Sequence, residues 1–302
     1  MKNITNYEVA LDRAFRNTFS ADIKHYLSQG TINGDYYILP NTDDLLENAM
    51  RKDNLFRKYG TLVSVNLEEK TLAVLTSTGK AEIVKDNVGF PESEDDYKEL
   101  PFNAYKIASL SKLNLFLVTE QRFDVIRYLT KEFSRRFARA EENAILNGTG
   151  NEEPLGILKS AEVGALTSEL SYDDIVKLYF SVNAEYRKNG VWVMSDETAL
   201  KLRTLKDKDG NYLWNNNNDT IFGKEVVTSI YMNDSNIPVI FGDLSYIWIL
   251  IRSPLAVRVL SEKYILNDEI GYAANERFDV KLIRPEAVKV LKVEQKPDIK
   301  EE

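Results

Sequence analysis

The chain has 302 residues, 43% hydrophobic and 28% charged, which is long enough for one large domain or two smaller ones around a buried core. It has no cysteine and one histidine, His25, so disulfides, thiolate catalysis and cysteine or multi-histidine metal sites are excluded. A formal net charge of -8 argues against gripping nucleic acid by bulk electrostatics.

In chain order, residues 1 to about 28 read as a short amphipathic helix with Val9, Phe15, Phe19 and Ile23 on its stripe. The N-terminus has no apolar run suited to a signal peptide, and no segment approaches the ~18 apolar residues that span a membrane. The expectation is a cytoplasmic protein, in which the sequons at Asn3, Asn147, Asn218 and Asn233 are coincidental. "GTINGDYYILP" then reads as a loop or extended arm. "TDDLLENAMRKDNLFRKYG" reads as a second helix, started at Thr42 and ended by Gly60.

From Thr61 the period changes to two. "TLVSVNL", "TLAVLTS" and "KAEIVKD", joined by short turns, predict successive hairpin strands, followed by an acidic exposed loop and a strand over "AYKIASLSKLNLFLV". Next, Phe123, Ile126, Leu129, Phe133, Phe137, Ala140 and Ala144 recur every three or four residues. That predicts a long helix of about 40 Å, capped by Thr119 with Glu120 in its first turn. Its opposite face carries Arg127, Lys131, Arg135, Arg136 and Arg139, either a solvated face or a stripe turned to a partner.

Beyond it, "SYDDIVKLYFSVNAEYRKNG" predicts a helix capped at Ser171, "VWVMS" a buried strand, and "DETALKLRTLKD" a helix with Asp196 near its start. Asp209-Gly210 marks a turn. Strands are expected over "KEVVTSIYM", "NIPVIFGDL", "YIWILI", "LAVRVLSE", "ERFDVKLI" and "EAVKVLKV". Helices and strands alternate without a βαβ rhythm, so the fold class is α+β.

No motif carries chemistry. The glycines of "NAILNGTGNEEPLGIL" suggest a phosphate loop, but the stretch lacks the Walker lysine, carries Glu152 and Glu153, and follows a helix C-terminus, where the dipole favours cations. Gly148 is instead expected to take a left-handed conformation that ends the helix. Glu94 to Asp96 read as a solvated loop and Asp173-Asp174 as a match to a helix dipole. Asp207 to Asn211 lack the bidentate glutamate of a calcium loop. His25 reads as a surface or interface residue.

The order of segments resembles the major capsid proteins of tailed bacteriophages, the Hong Kong 97 fold. The resemblance rests on "ARAEENAILNGTG" followed by "EPLGIL", and on "VWVMSDETALKLRTLKDKDGNYLW", "IFGKEVVTSIYM", "VIFGDLSYIWILIR" and "NERFDVKLIRPEAVKVLKV". It spans roughly residues 61–293 and implies a parts list. Residues 1–40 would be an N-terminal helix and arm, 41–60 a short helix of the P-domain, and 61–102 an extended E-loop. Residues 103–170 would hold the P-domain with its spine helix, 171–261 an A-domain, 262–293 return strands of the P-domain, and 294–302 a disordered tail.

The implied function is a shell subunit, not an enzyme. It would self-assemble into pentamers and hexamers of an icosahedral virion shell enclosing double-stranded DNA without reading its sequence. It would need no cofactor or membrane, would be made in the host cytoplasm, and would work with a scaffold protein or portal. The family's long N-terminal scaffolding segment is not seen, so either a separate scaffold serves or the chain is processed. Subunit-interface candidates are Lys70, Lys80, Phe90, Arg127, Arg135, Arg136 and Arg139. Some members join an E-loop lysine to a neighbour's asparagine; Phe90 stands where that lysine is wanted, so no covalent cross-link is expected. The alternatives are an encapsulin-like nanocompartment shell, a soluble binding module, and a carboxylate hydrolase, which would need a pocket with two facing carboxylates.

Overall fold

The structure, a computed structural model, describes residues 6–16, 31–32, 36–38, 45–66, 70–77, 83, 95–120, 122–206, 209–210, 212, 214 and 219–294. Among the described residues there are two six-stranded sheets, with a long helix packed between their cores, and a small two-stranded ribbon, a mixed α+β arrangement of the expected class.

The first sheet is built on a long antiparallel pair, β12 (Ile247–Leu260) and β13 (Glu269–Leu282). β6 (Tyr105–Asn114) lies on the outer side of β13, and β2 (Tyr36–Ile38), with β1 (Thr31–Ile32), on the outer side of β12. β3 (Thr61–Ser64) pairs in parallel with the other end of β12. The expected hairpin between residues 61–67 and 71–77 therefore does not form. β4 (Thr71–Ser77) pairs with β5 (Asp96–Pro101) as a separate two-stranded ribbon. Alternation made each segment a strand; it carried no information about partner, and β3 found one far along the chain. Of the expected strand at residues 80–86 only Ile83 is described, in no regular element and fully exposed.

"YIWILI" and "LAVRVLSE", expected as two strands, are one, with register shifts around Ser253 and Pro254. A proline cannot donate to the ladder, so pairing is irregular there instead of ending. The second sheet runs β7 (Glu162–Thr167), β14 (Val288–Val293), β11 (Val239–Gly242), β8 (Val191–Met194), β10 (Lys224–Thr228), β9 (Thr220–Ile221). "ERFDVKLI" and "EAVKVLKV", read as a terminal strand pair, thus fall in different sheets.

Several of the helices start at a side-chain cap. α1 (Asn6–Phe15) ends at Arg16; the rest of the helix expected to residue 28 is not described. α2 (Leu45–Asp53) and α3 (Leu55–Tyr59) were expected as one helix. Asn54 separates them, because its Oδ1 accepts from Phe56 N and caps α3. Asn114 likewise ends β6 and opens the short α4 (Leu115–Thr119) by accepting from Phe116 N, so the strand expected to Val118 stops early.

The long helix α5 (Val125–Asn147) has 23 residues, about 34 Å. Its cap is Asp124, whose Oδ1 accepts from Arg127 N at 2.9 Å, not Thr119, whose hydroxyl donates to Phe116 O inside α4. α6 (Ile157–Ser160), α7 (Tyr172–Ser181), α8 (Ala184–Arg187) and α9 (Asp196–Thr204) follow. The break between α7 and α8 at Val182-Asn183 splits a segment expected as one helix, and Asn183 caps α8. Ser171 and Asp174 form a capping box on α7, and Ser195 caps α9. Asp174 is held below the usual carboxylate range: burial works the other way, but bonds from Ser171 and Lys177 outweigh it.

Residues buried along α5 come in pairs four apart: 129/130, 133/134, 137/138, 141/142 and 145/146. A step of four overshoots a turn by about 40°, so the buried face rotates by roughly 160° along the helix. The first half of α5 meets one core, with Leu129, Phe133 and Phe137 against Leu11, Phe15 and Tyr272. The second half meets another, with Ile145 and Leu146 against Phe56, Ile249 and Phe278. Each such aromatic or aliphatic burial contributes about 1.5–3 kcal/mol. A third core fills the second sheet, with Trp192 stacked on Phe241 at 4.1 Å.

α1 is locked onto this frame. Tyr272 Oη donates to Phe15 O at 2.7 Å, and Arg16 donates to Val118 O, Glu120 O and Phe123 O at 2.6–3.0 Å while pairing with Asp12.

Candidate functional site

Between the first two cores, α5 presents two buried carboxylates in succession. Glu141 accepts from Arg57 Nε at 2.7 Å, Arg57 Nη2 at 2.6 Å and Asn54 Nδ2 at 3.1 Å. Arg57 Nη2 also donates to Glu276 Oε1 of β13 at 2.9 Å. Glu142 accepts from Leu55 N at 3.0 Å and Ser229 Oγ at 2.5 Å, tying α5 to α3 and to the end of β10. Burial, then the charge of Glu141, pushes Glu276 up to about 8 against the pull of Arg57. Burial also raises Glu142, opposed by Ser229 and the Leu55 N–H. Burial alone would loosen the Arg57 proton, but the two carboxylates outweigh it and hold the guanidinium charged.

These are the facing carboxylates that a hydrolase would need, yet Glu141 and Glu276 are 0% and 2% exposed, so substrate does not reach them. An open groove of about 750 Å³ lies elsewhere, lined by Glu169, Ser195, Glu197, Lys201 and Asp234 among others. There Ser195 Oγ accepts from Thr198 N, and Glu197 is paired with Lys201 at 2.8 Å. Among the described residues no three or more His, Asp or Glu side chains are grouped to hold a metal.

The glycine-rich stretch after α5 folds back on itself. Gly150 N donates to Pro154 O, Gly156 N to Gly148 O, and Thr149 N and Oγ1 to Glu153 Oε1. These two bonds from Thr149 lower the Glu153 pKa. Gly148 is not left-handed, contrary to expectation; its φ is -48°. It is required because a Cβ there would stand 2.1 Å from Pro154 O and 2.6 Å from Ala144 O. The left-handed positions are Gly150 and Glu152, at φ 82° and 58°.

The interface candidates scatter. Lys70 is exposed beside β4, and Lys80, Phe90 and His25 lie outside the described residues. On α5, Arg127 is exposed. Arg135 and Arg136 both pair with Glu132, lowering its pKa: burial opposes this but the Arg136 bond outweighs it. Arg136 also donates to Ser109 Oγ and Leu110 O of β6, and Arg139 approaches Asp53 at 3.8 Å. Arg135, Arg136 and Arg139 thus pair within their own subunit while the stripe stays largely exposed.

Residues that pattern reading missed are apolar and exposed. At the far end of the β12–β13 pair, Leu115 N of α4 donates to Asp268 O at 2.7 Å, joining α4 to the turn. Lys112 pairs with Glu269 at 2.9 Å, and Gly271 gives the Tyr264 ring room. This braced tip holds Phe116, Ile265 and Leu266 at 79%, 64% and 97% exposure, with Leu110, Leu115 and Leu117 partly exposed beside them. The β4–β5 ribbon stands on a small core of Val65, Phe102 and Leu250, is tied down by Arg284 Nη2 donating to Leu75 O, and leaves Tyr97 exposed. A short apolar turn next to a polar strand end could have pointed to Leu266; the position of Phe116 depends on α4, which the strand reading concealed.

Comparison with known proteins accords with this geometry. Similar solved structures include the capsid of the native GTA particle (C5 symmetry), 24% identical, with 79% of this chain and 89% of that chain covered and a TM-score of 0.63. Gordonia phage Cozz is 15% identical, with 81% and 87% covered and a TM-score of 0.61. Microbacterium phage Oxtober96 is 17% identical, with 80% and 91% covered and a TM-score of 0.60. At these identities the likeness shows the fold, of the Hong Kong 97 type. No curated protein sequence matches the chain. The family model for the phage capsid family matches residues 34–293, and the chain belongs to that family.

Proposed function

We propose that the chain is the major capsid protein of a tailed phage, copies of which close into pentamers and hexamers of an icosahedral shell around double-stranded DNA. The observation that carries this reading is the braced apolar tip. Phe116, Ile265 and Leu266 are held in water by a rigid support, an arrangement that is stabilised when a neighbour covers it. The β4–β5 ribbon fits an E-loop, α5 a spine helix, and the first sheet a P-domain. The second sheet with α7 and α9 fits an A-domain, completed by β7 and β14 from either side in sequence.

The acidic balance suits a shell that holds DNA without adhering to it. A scaffold protein or portal would set the size of the shell. The site of action would be the virion, after synthesis in the host cytoplasm. The test is sedimentation and electron microscopy of the purified chain, with and without the phage's scaffold. Closed shells with fivefold and sixfold capsomers are expected; a chain that stays monomeric under all conditions contradicts the reading.

A further inference from the structure

Glu141 and Glu276 are bound by the same atom, Nη2 of Arg57, at 2.6 and 2.9 Å, so their bound oxygens lie within about 5.5 Å of each other. Two carboxylates thus share one guanidinium, leaving one surplus negative charge where Glu141 is 0% and Glu276 2% exposed. Glu276 Oε2 is buried with no hydrogen-bond partner among the described residues. A buried anion with an empty oxygen is costly; a proton on it removes the charge.

Among the described residues, the surrounding groups do not supply a second cation to Glu276. From α5, Glu142 adds a third carboxylate, while Arg139 turns to Asp53 of α2. Arg51 and Lys52 of α2 are exposed. On β13 itself, Arg277 donates to Ala104 O and Asp279 accepts from Asn103 N, both on the opposite face of the sheet by alternation. Arg252 of β12 lies over the Phe102 ring, and Lys106 of β6 alternates to that same far face.

The position matters as much as the charge. The cluster lies where α5 passes from the first core to the second. On β13, Glu276 falls between Asn275 and Arg277, whose partners on β12 are Ala256 and Ser253, so it faces the irregularity around Pro254. The polar cluster on α5 and the break in register between β12 and β13 therefore lie at the same level.

We infer that Glu276 keeps a proton beside the Arg57–Glu141 pair, and that this proton governs whether α5 and β13 stay packed at the seam between the two cores. With the proton present, the trio of Arg57, Glu141 and Glu276 carries no net charge and the seam is closed. Without it, two anions on one guanidinium repel, and the seam loosens at its weakest level. The raised Glu276 pKa gives the sign. The folded chain keeps a proton that the unfolded chain releases, so stability is lost as pH rises from the ordinary value of 4.5 towards about 8.

The test uses the full-length chain, unassembled, in urea unfolding from roughly pH 5 to pH 9. The wild-type unfolding constant should gain up to about tenfold per pH unit over the range where only the folded state holds the proton. Glu276→Gln and Glu141→Gln should each flatten that slope, and at high pH hydrogen-exchange protection, corrected for the hydroxide-catalysed intrinsic rate, should fall at residues 138–146 of the wild type but not at 126–136. Equal slopes in wild type and Glu276→Gln, or a uniform loss of the corrected protection along α5, overturn the inference. Should either variant fail to fold, carbon-13 NMR of the glutamate-labelled wild type decides: a carboxyl titrating above neutrality, assigned to residue 276, supports it, and its absence overturns it.

Discussion

Arg57 illustrates how one side chain is needed without being a source of net stability. Its guanidinium satisfies carboxylates from two elements, and their burial has a desolvation cost close to what the pairing returns. Removing the cation alone is another matter, since it strands both acids. Arg57→Met should therefore cost about 3–5 kcal/mol in urea unfolding at neutral pH, and less in acid, where the carboxyls accept protons. Gly148 makes a steric case. Any Cβ at that position meets the carbonyls of Pro154 and Ala144, which belong to backbone and cannot rotate away. Gly148→Ala should cost about 1–3 kcal/mol by the same measurement, whereas Gly210→Ala meets nothing and suffers only its left-handed φ of 85°. A smaller loss at Gly148 than at Gly210 would contradict this account.

At the scale of elements, α5 depends on its start. Asp124→Ala removes the bond to Arg127 N and should lower stability by about 1 kcal/mol, while Thr119→Ala, outside the helix, should change little. Thermal unfolding of the two variants side by side distinguishes the caps. The helix itself was legible because its apolar stripe recurs over six turns. The cap was not, because Thr119 and Asp124 are both capping residues and only Asn114, by opening α4, takes the first out of contention. The same stripe concealed the polar seam. Continuing Leu129, Phe133 and Phe137 in steps of four leads to Glu141 and Ile145, but a charged residue reads as the solvent side of a helix unless its partner is known. That partner, Arg57, is 84 residues away in sequence. β3 was legible as a strand for its alternation and illegible in its pairing for the same reason: neighbours in space are set by the whole fold, not by the local period.

The molecule as a whole is a stiff frame with projecting parts. Three cores and the clamp of Arg16 fix the frame, while the β4–β5 ribbon and the tip of the β12–β13 pair extend from it. The family resemblance made the function legible where chemistry was silent, but the residues it nominated were mainly charges. A rim charge contributes little to a stable contact, whereas an apolar group held in water contributes when it is covered. If Phe90 stands where the resemblance puts a linking lysine, shells should dissociate to a single monomer band on a denaturing gel; a ladder of high-mass bands would refute this. The tip offers the sharper test. Leu266 touches little of its own subunit, so Leu266→Asp should leave urea unfolding of the unassembled chain within about 0.5 kcal/mol of wild type. In an assembled shell the same aspartate would be buried without a partner, which no packing contact offsets. Electron microscopy should then show loss of closed shells, and Phe116→Ser should act in the same direction. If Leu266→Asp assembles as well as wild type, the tip is not a contact between copies, and the ribbon becomes the surface on which assembly depends.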